Sequence, residues 1–462
     1  MGTSHQPRLN QLFGKWLIMD GEILFLGRVK HAELCHCTGL WGFIRIGDII
    51  HQVRVGGGGG GGEHTKGTVA ASLGKTMSSL LLRLSSKTSL RKLSLRCRHS
   101  TLRMFSSSST TTNPYLMYSL IHYGSCLDDI DVTSTVHYFD PVKEDEIIVR
   151  DKAFPMELRN TSLVGMSHGW GVFNVETGDG RHKAVYVSDY CNPCGSKPNP
   201  KIIPLHPMYP IGKPNITQLR LITNAAMTCS PDQSKDFVVA ANCLGLEIHF
   251  FRPCGKTDNY SGLGFKTESH FFDQSKVMYS KRDKKFYTPS VGGHLLGFWD
   301  SCFEDLTASK IHELRFCNLP EVTQSEWELL DSCSPPTVHL VESPSGQRFL
   351  VKWYAQNYKP GERMTFLCRG TKHFMVFREE EDMNMCYTED IGDLCIFLGR
   401  SEPFCVKASS FPGLNPNSIY FAGDGFGVYD IATRKPRSFR PKSPSAFSTT
   451  PLFPYWIPPM PL

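Results

Sequence analysis

No run of about 18 or more apolar residues, the minimum for a helix that crosses a membrane, occurs anywhere in the 462-residue sequence. The longest approach, Phe237 to Phe251, is broken by Glu247. Metal-binding spacings are scarce as well. None of the 17 histidines forms a His-x-x-x-His pair. The lone Cys-x-x-Cys, Cys191-Asn-Pro-Cys194, lacks the second pair that a structural zinc site needs. Cysteine itself is not scarce at 16, but the thiols are irregularly spaced, which reads as a reducing compartment with thiols serving as small buried apolar groups. A net charge of +6 is too slight to build a phosphate-binding surface, and no nucleic-acid partner is expected.

Charge of one sign is missing from one stretch. Residues 77–113 hold 7 Lys/Arg, 11 Ser and 8 Leu but no Asp or Glu. Arg83, Lys87 and Arg91 are four apart and would share one helix face, with Leu80, Leu81 and Leu84 beside them. This is the composition of an organelle transit peptide. Arg103-Met-Phe105-Ser106 resembles a mitochondrial presequence cleavage site, with the cut after Phe105. A transit peptide works at an N-terminus, and Met77 stands where an initiator would. Residues 1–76, with the seven-glycine linker Gly56 to Gly62, therefore read as an upstream extension. Within it, Ile23-Leu-Phe-Leu and Phe43-Ile-Arg-Ile have strand character. Translation from Met77 implies a mitochondrial protein. Otherwise it would be cytoplasmic or nuclear.

From about 120 onward, short apolar strands alternate with tight turns. Hairpins are expected at Gly171–Val187, Val277–Thr288, Val338–Trp353 and Ser418–Asp430, each turning on Gly, Asp, Pro or a charged cluster. Helical stretches are short, at Ser309–Phe316 and Gln324–Leu330. The reading is all-β. Over roughly 310 residues with about 45–50 per blade, it gives a β-propeller of six or seven blades spanning 125–435. Residues 436–462, rich in proline, read as an irregular tail.

Three motifs invite chemical readings. Gly165-Met-Ser-His-Gly169 matches the nucleophile-elbow pattern, but the strand character of Trp170–Val175 denies Ser167 the helix that the motif needs. A serine hydrolase is the weakest of the functions weighed. Gly423-Asp-Gly-Phe-Gly427 likewise precedes a strand, so it reads as a hairpin turn and not a dinucleotide loop. Arg378-Glu-Glu-Glu-Asp382 reads as a solvated turn. No catalytic, cofactor or metal residue is assigned.

The stretch 393–430 is the most distinctive. It contains Phe411-Pro412-Gly413, Tyr420-Phe421 and Val428-Tyr429-Asp430. It resembles the C-terminal signature of a large plant family of F-box-associated, kelch-like β-propellers, a domain of unknown function. Ser167-His168-Gly169-Trp170 resembles that family's first-blade motif, and Val338-His-Leu-Val-Glu with Phe349-Leu-Val-Lys its middle hairpin. Many members carry an F-box and act as ubiquitin-ligase adaptors. Here residues 77–150 lack the helical, Leu/Pro-rich F-box. The chain looks like the organelle-targeted branch without it. The resemblance implies a non-catalytic module that binds an unknown protein partner, with an F-box-type ligase adaptor whose F-box is missing or diverged as the alternative.

Overall fold

The computed structural model describes residues 15–19, 22–26 and 111–460, except 124–131, 176–184, 195–198, 208–221, 244–246, 254–263, 267–271, 273–274, 301–309, 334, 357–369, 424 and 440–453. Two units divide the chain, Met1–Ser107 and Ser108–Leu462. In the first, Lys15–Met19 and Glu22–Leu26 form an antiparallel hairpin, which includes the expected strand around Ile23. The Phe43 strand, the glycine run and the transit segment with Arg103, Phe105 and Ser106 lie outside the described residues.

The second unit is a β-propeller. Among the described residues six blades follow one another around a ring. Blade 1 joins Tyr115–Tyr123, Thr133–Asp140 and Asp145–Ala153 to the late strand Tyr455–Ile457. Blade 2 is the antiparallel series Thr161–Ser167, Trp170–Val175, Val185–Ser188 and Ile202–Pro207. Blade 3 runs Ile222–Met227, Val239–Cys243, Glu247–Pro253 and Gly264–Lys266. The outer strands of blades 2 and 3 also pair with each other, merging both into one eight-stranded sheet. Blade 4 contains Met278–Ser280, Lys285–Pro289, Leu295–Asp300 and Lys310–Glu313. Blade 5 contains Thr337–Glu342, Arg348–Ala355, Thr371–Glu379 and Asn384–Tyr387, with Arg315–Cys317 added in parallel at its rim. Blade 6 contains Leu394–Leu398, Phe404–Lys407, Ser418–Gly423, Gly425–Asp430 and Lys435–Ser438.

A blade inside a ring is covered on both faces, so its middle strands read as continuous apolar runs and not as alternation. Arg348–Ala355 is buried at every position. Apolar clusters then cement one blade to the next. Leu163 and Phe173 join Tyr138 and Tyr455 between blades 1 and 2. Phe250 meets Phe286 and Trp299 between blades 3 and 4. Trp353 and Phe374 meet Phe421 and Tyr429 between blades 5 and 6. Leu116 and Phe139 of blade 1 pack with Phe397, Phe426 and Val428 of blade 6, and this last contact closes the ring.

Three sequence readings need correction. Residues 436–462 are not a tail, because Tyr455–Ile457 pairs with Tyr115–Met117 and all three of its residues are buried. The propeller accordingly begins before 125 and extends past 435. Tyr455-Trp-Ile-Pro458 resembles the aromatic end seen in many members of that propeller family, but its strand character does not show in the sequence, because three residues are too few for a period and the prolines around them dominate the composition. Pro436 also lies in a strand, opposite Tyr429; that strand is the blade's edge, where a missing N–H is tolerated. The described part of the expected helix Ser309–Phe316, residues 310–316, is not helical. Lys310–Glu313 pairs with Leu295–Phe298, and Arg315–Cys317 pairs with blade 5, so sheet pairing overrides the local propensity. The other helix forms as expected. Here α1 spans Gln324–Asp331, and a capping box between Thr323 and Glu326 fixes its start.

Candidate functional site

Ser167 ends the innermost strand of blade 2. His168 (φ 50°) and Gly169 (φ 78°) then make the two-residue turn into Trp170. Positive φ at both central positions suits a tight hairpin, and glycine takes the second at no steric cost. A Cβ on Gly169 would lie 2.3 Å from Met460 Sδ. The Ser167 hydroxyl is not exposed for attack on a substrate. It donates to Glu402 Oε2 and accepts the Met227 N–H at 3.1 Å. His168 Nε2 lies 3.3 Å from the Met227 carbonyl, and burial, helped by the charge of Lys281, lowers its pKa to about 4. Trp170 is fully buried between blades 2 and 3.

Glu402 was not anticipated from the sequence. It precedes a blade 6 strand, yet its side chain reaches the inner strands of blades 2 and 4. Oε1 accepts the Tyr279 N–H at 2.8 Å, and its own N–H donates to the Met166 carbonyl at 2.8 Å. Burial pushes the carboxyl up to about 7 against the pull of the Ser167 and backbone hydrogen bonds and of Lys281. Ser401 beside it accepts the Trp456 N–H at 3.1 Å, which ties the same segment to blade 1. The segment 401–402 therefore binds four blades at the ring's centre.

The same device recurs around the ring. The Asn224 side chain bridges blades 3 and 4 by donating to the Val277 carbonyl and accepting the Val277 N–H. Glu342 of blade 5 accepts from Ser280 and from the Lys281 N–H of blade 4. The Tyr455 hydroxyl donates to the Leu163 carbonyl across blades 1 and 2. Farther out, Arg348 is 1% exposed and meets Glu379 through Nε at 2.8 Å and Asp283 through Nη1 at 2.7 Å, stacked on Tyr287. Glu379 is thus a buried partner, and the 378–382 run is only partly a solvated turn.

The C-terminal signature is a packing device. Phe411 is buried, and a Cβ on Gly413 (φ 124°) would sit 2.5 Å from the Val142 carbonyl, in the blade 1 turn between Thr133–Asp140 and Asp145–Ala153. Tyr420 stacks on Phe397 and accepts the Asn415 N–H at 2.9 Å. Phe421 lies against Trp353 and Phe374 of blade 5. Val428 faces blade 1, while Tyr429 meets His373 Nδ1 at 3.0 Å. Asp430 accepts the Thr433 N–H and fixes the last turn. Gly423 and Gly425 form the expected hairpin.

The cysteines divide. Cys191 is buried with its thiol pushed up to about 12 by burial, whereas Cys194 is exposed. Cys317 and Cys386 form a disulfide across 69 residues of sequence, which corrects the reading of every thiol as a free apolar filler. Their separation gave no hint of the pairing, which depends on the unforeseen strand Arg315–Cys317. No cluster of His, Cys, Asp and Glu suited to a metal occurs among the described residues.

No curated protein matches the chain. Among solved structures, a member of the DUF4221 family from Bacteroides vulgatus is 10% identical, with a TM-score of 0.30, over 71% of this chain and 90% of its own. A putative 6-phosphogluconolactonase from Bacteroides fragilis is 11% identical, with a TM-score of 0.27, over 60% and 77%. A family profile described as the KIB1-4 β-propeller matches residues 139–438, and the chain belongs to that family.

Proposed function

We propose that the protein is a non-catalytic interaction module that works in mitochondria when translated from Met77. The observation that carries the non-catalytic part is the use made of the polar groups. Ser167, the one motif serine with a catalytic spacing, and Glu402 are spent on holding blades together. A propeller whose blades are tied together in this way can present its loops to a partner protein. The acid-free 77–113 segment supports import, with cleavage after Phe105.

A fluorescent fusion of residues 77–130 tests the location, with a processed N-terminus expected at Ser106. A cytosolic, uncut fusion would withdraw the mitochondrial reading and favour a cytoplasmic or nuclear ligase adaptor. Proximity labelling from the mature protein then identifies the partner. Fluorophosphonate labelling tests catalysis independently, and labelling lost in Ser167→Ala would overturn the non-catalytic reading.

A further inference from the structure

The strand Arg315–Cys317 leaves blade 4 and attaches to the rim of blade 5 through three parallel partners, Arg315 to Asn384, Phe316 to Met385 and Cys317 to Cys386. So short a parallel pairing is a weak hold by itself. The disulfide fastens its end. From there residues 318–323 lead into α1, whose Glu326 meets Arg434 at 3.0 Å and whose Leu330 is buried. Segment 315–331 thus forms a flap over the outer part of blade 5. Its Pro320, Val322 and Leu329 face His373, Met375 and Tyr387 across a narrow cleft. At the fastened end, Phe316 packs edge-on against Phe377 at 4.9 Å. Lys352 Nζ sits 4.5 Å above the Phe316 ring, and Lys352 is 1% exposed. Both bonded cysteines are half-buried, not enclosed in the core.

We infer that the Cys317–Cys386 disulfide is a redox latch, whose reduction by a dithiol frees the flap 315–331 and uncovers Lys352 and the apolar rim of blade 5. A dithiol thiolate attacks one sulfur, the protein S–S bond breaks, and a mixed disulfide forms. The reagent's second thiol then displaces the protein sulfur. Two electrons and two protons pass to the protein, giving two cysteine thiols and an oxidised, cyclic reagent. Once Phe316 lifts, Lys352 regains water. The rest of the ring stays shut, because the inner-strand ties at Ser167, Asn224, Glu342, Glu402 and Tyr455 do not pass through the flap, which meets blade 6 farther out through Glu326 and Arg434. The latch is independent of the proposed location, since it concerns one bond and one segment.

The test uses the full chain, oxidised and then treated with dithiothreitol. Lys352 acetylation by an N-hydroxysuccinimide ester and amide exchange in 315–331 are read by mass spectrometry. Reduction is expected to raise both about tenfold or more, with exchange in 161–175 unchanged. Cys317→Ser should reproduce the open state without reductant, and if that variant does not fold, the reduced wild type still decides. Three results would each overturn the latch. One is the absence of a Cys317–Cys386 bond in oxidised protein. Another is Lys352 remaining protected after reduction. The third is a loss of protection that extends to 161–175, which is general unfolding.

Discussion

Glu402 carries its acid group where inner strands of three blades converge, and its protonation should be visible in stability. Its pKa rises from the ordinary 4.5 to about 7 on folding, so the folded state binds the proton more tightly. The stabilisation is complete below pH 4.5 and is lost as pH rises through 7, an effect of about 1–3 kcal/mol. A glutamine amide reproduces the protonated form, accepting from Tyr279 N and donating to Ser167 Oγ. Denaturant melts of Glu402→Gln should therefore match wild type at pH 5 and exceed it at pH 8, whereas Glu402→Ala should be weaker at both. A Gln variant that loses stability equally across the range would remove the raised pKa from the account. Nearby His168, lowered to about 4, acts in the opposite sense: acid below its ordinary 6.5 destabilises. Arg348 offers a second test. Arg348→Met leaves the buried Glu379 carboxylate with Arg282 as its remaining ion-pair partner and should cost up to about 3–5 kcal/mol, part of it regained in Arg348→Met/Glu379→Leu. Additive losses in the double variant would show that the two residues act separately.

At the scale of elements, the hairpins were legible and their closure was not. Val277–Ser280 with Lys285–Pro289, and Thr337–Glu342 with Arg348–Ala355, announce themselves by apolar runs around Lys281-Arg-Asp-Lys284 and Ser343-Pro-Ser-Gly346. The short helix at Gln324–Leu330 was equally legible, and its capping box came only with the structure. Strands made by pairing, such as Arg315–Cys317 and Tyr455–Ile457, are too short to leave a pattern. Glu402 was hidden for a related reason. Its partners Ser167 and Tyr279 lie 235 and 123 residues away, and nothing local marks a carboxylate that serves distant strands. The Phe411–Leu414 loop was recognised by its residues, yet its task of seating blade 6 on blade 1 follows only from the fold. Gly413→Ala meets both the unfavourable φ of 124° and the Val142 carbonyl, so it should lower stability by about 1–3 kcal/mol. An unchanged denaturation midpoint would mean that the loop yields freely.

For the molecule as a whole, stability should be a property of the closed ring. Trp456 is fully buried, packs against Phe397 and donates from Nε1 to the Leu398 carbonyl. Trp456→Ala should cost about 3–5 kcal/mol. Removal of residues 454–460 takes away Tyr455 and Ile457 too, which is comparable with a typical total stability of about 5–15 kcal/mol. The truncated protein should be insoluble or digested at blades remote from blade 1. Cooperative melting at the full-length temperature would show that the ring does not depend on its last strand.

Blade 1 draws strands from residues 115–153 and from 455–457, so a nascent chain carries its first three strands long before their partner exists. At about 5–20 residues per second, roughly 20–70 s separate the emergence of the two parts from the ribosome. Throughout that interval the backbone edge of Tyr115–Met117 is an unfilled template for any passing extended segment. Biogenesis, and not the finished disc, is then the stage most exposed to mispairing. The demand for chaperones should scale with the time spent synthesising blades 2 to 6.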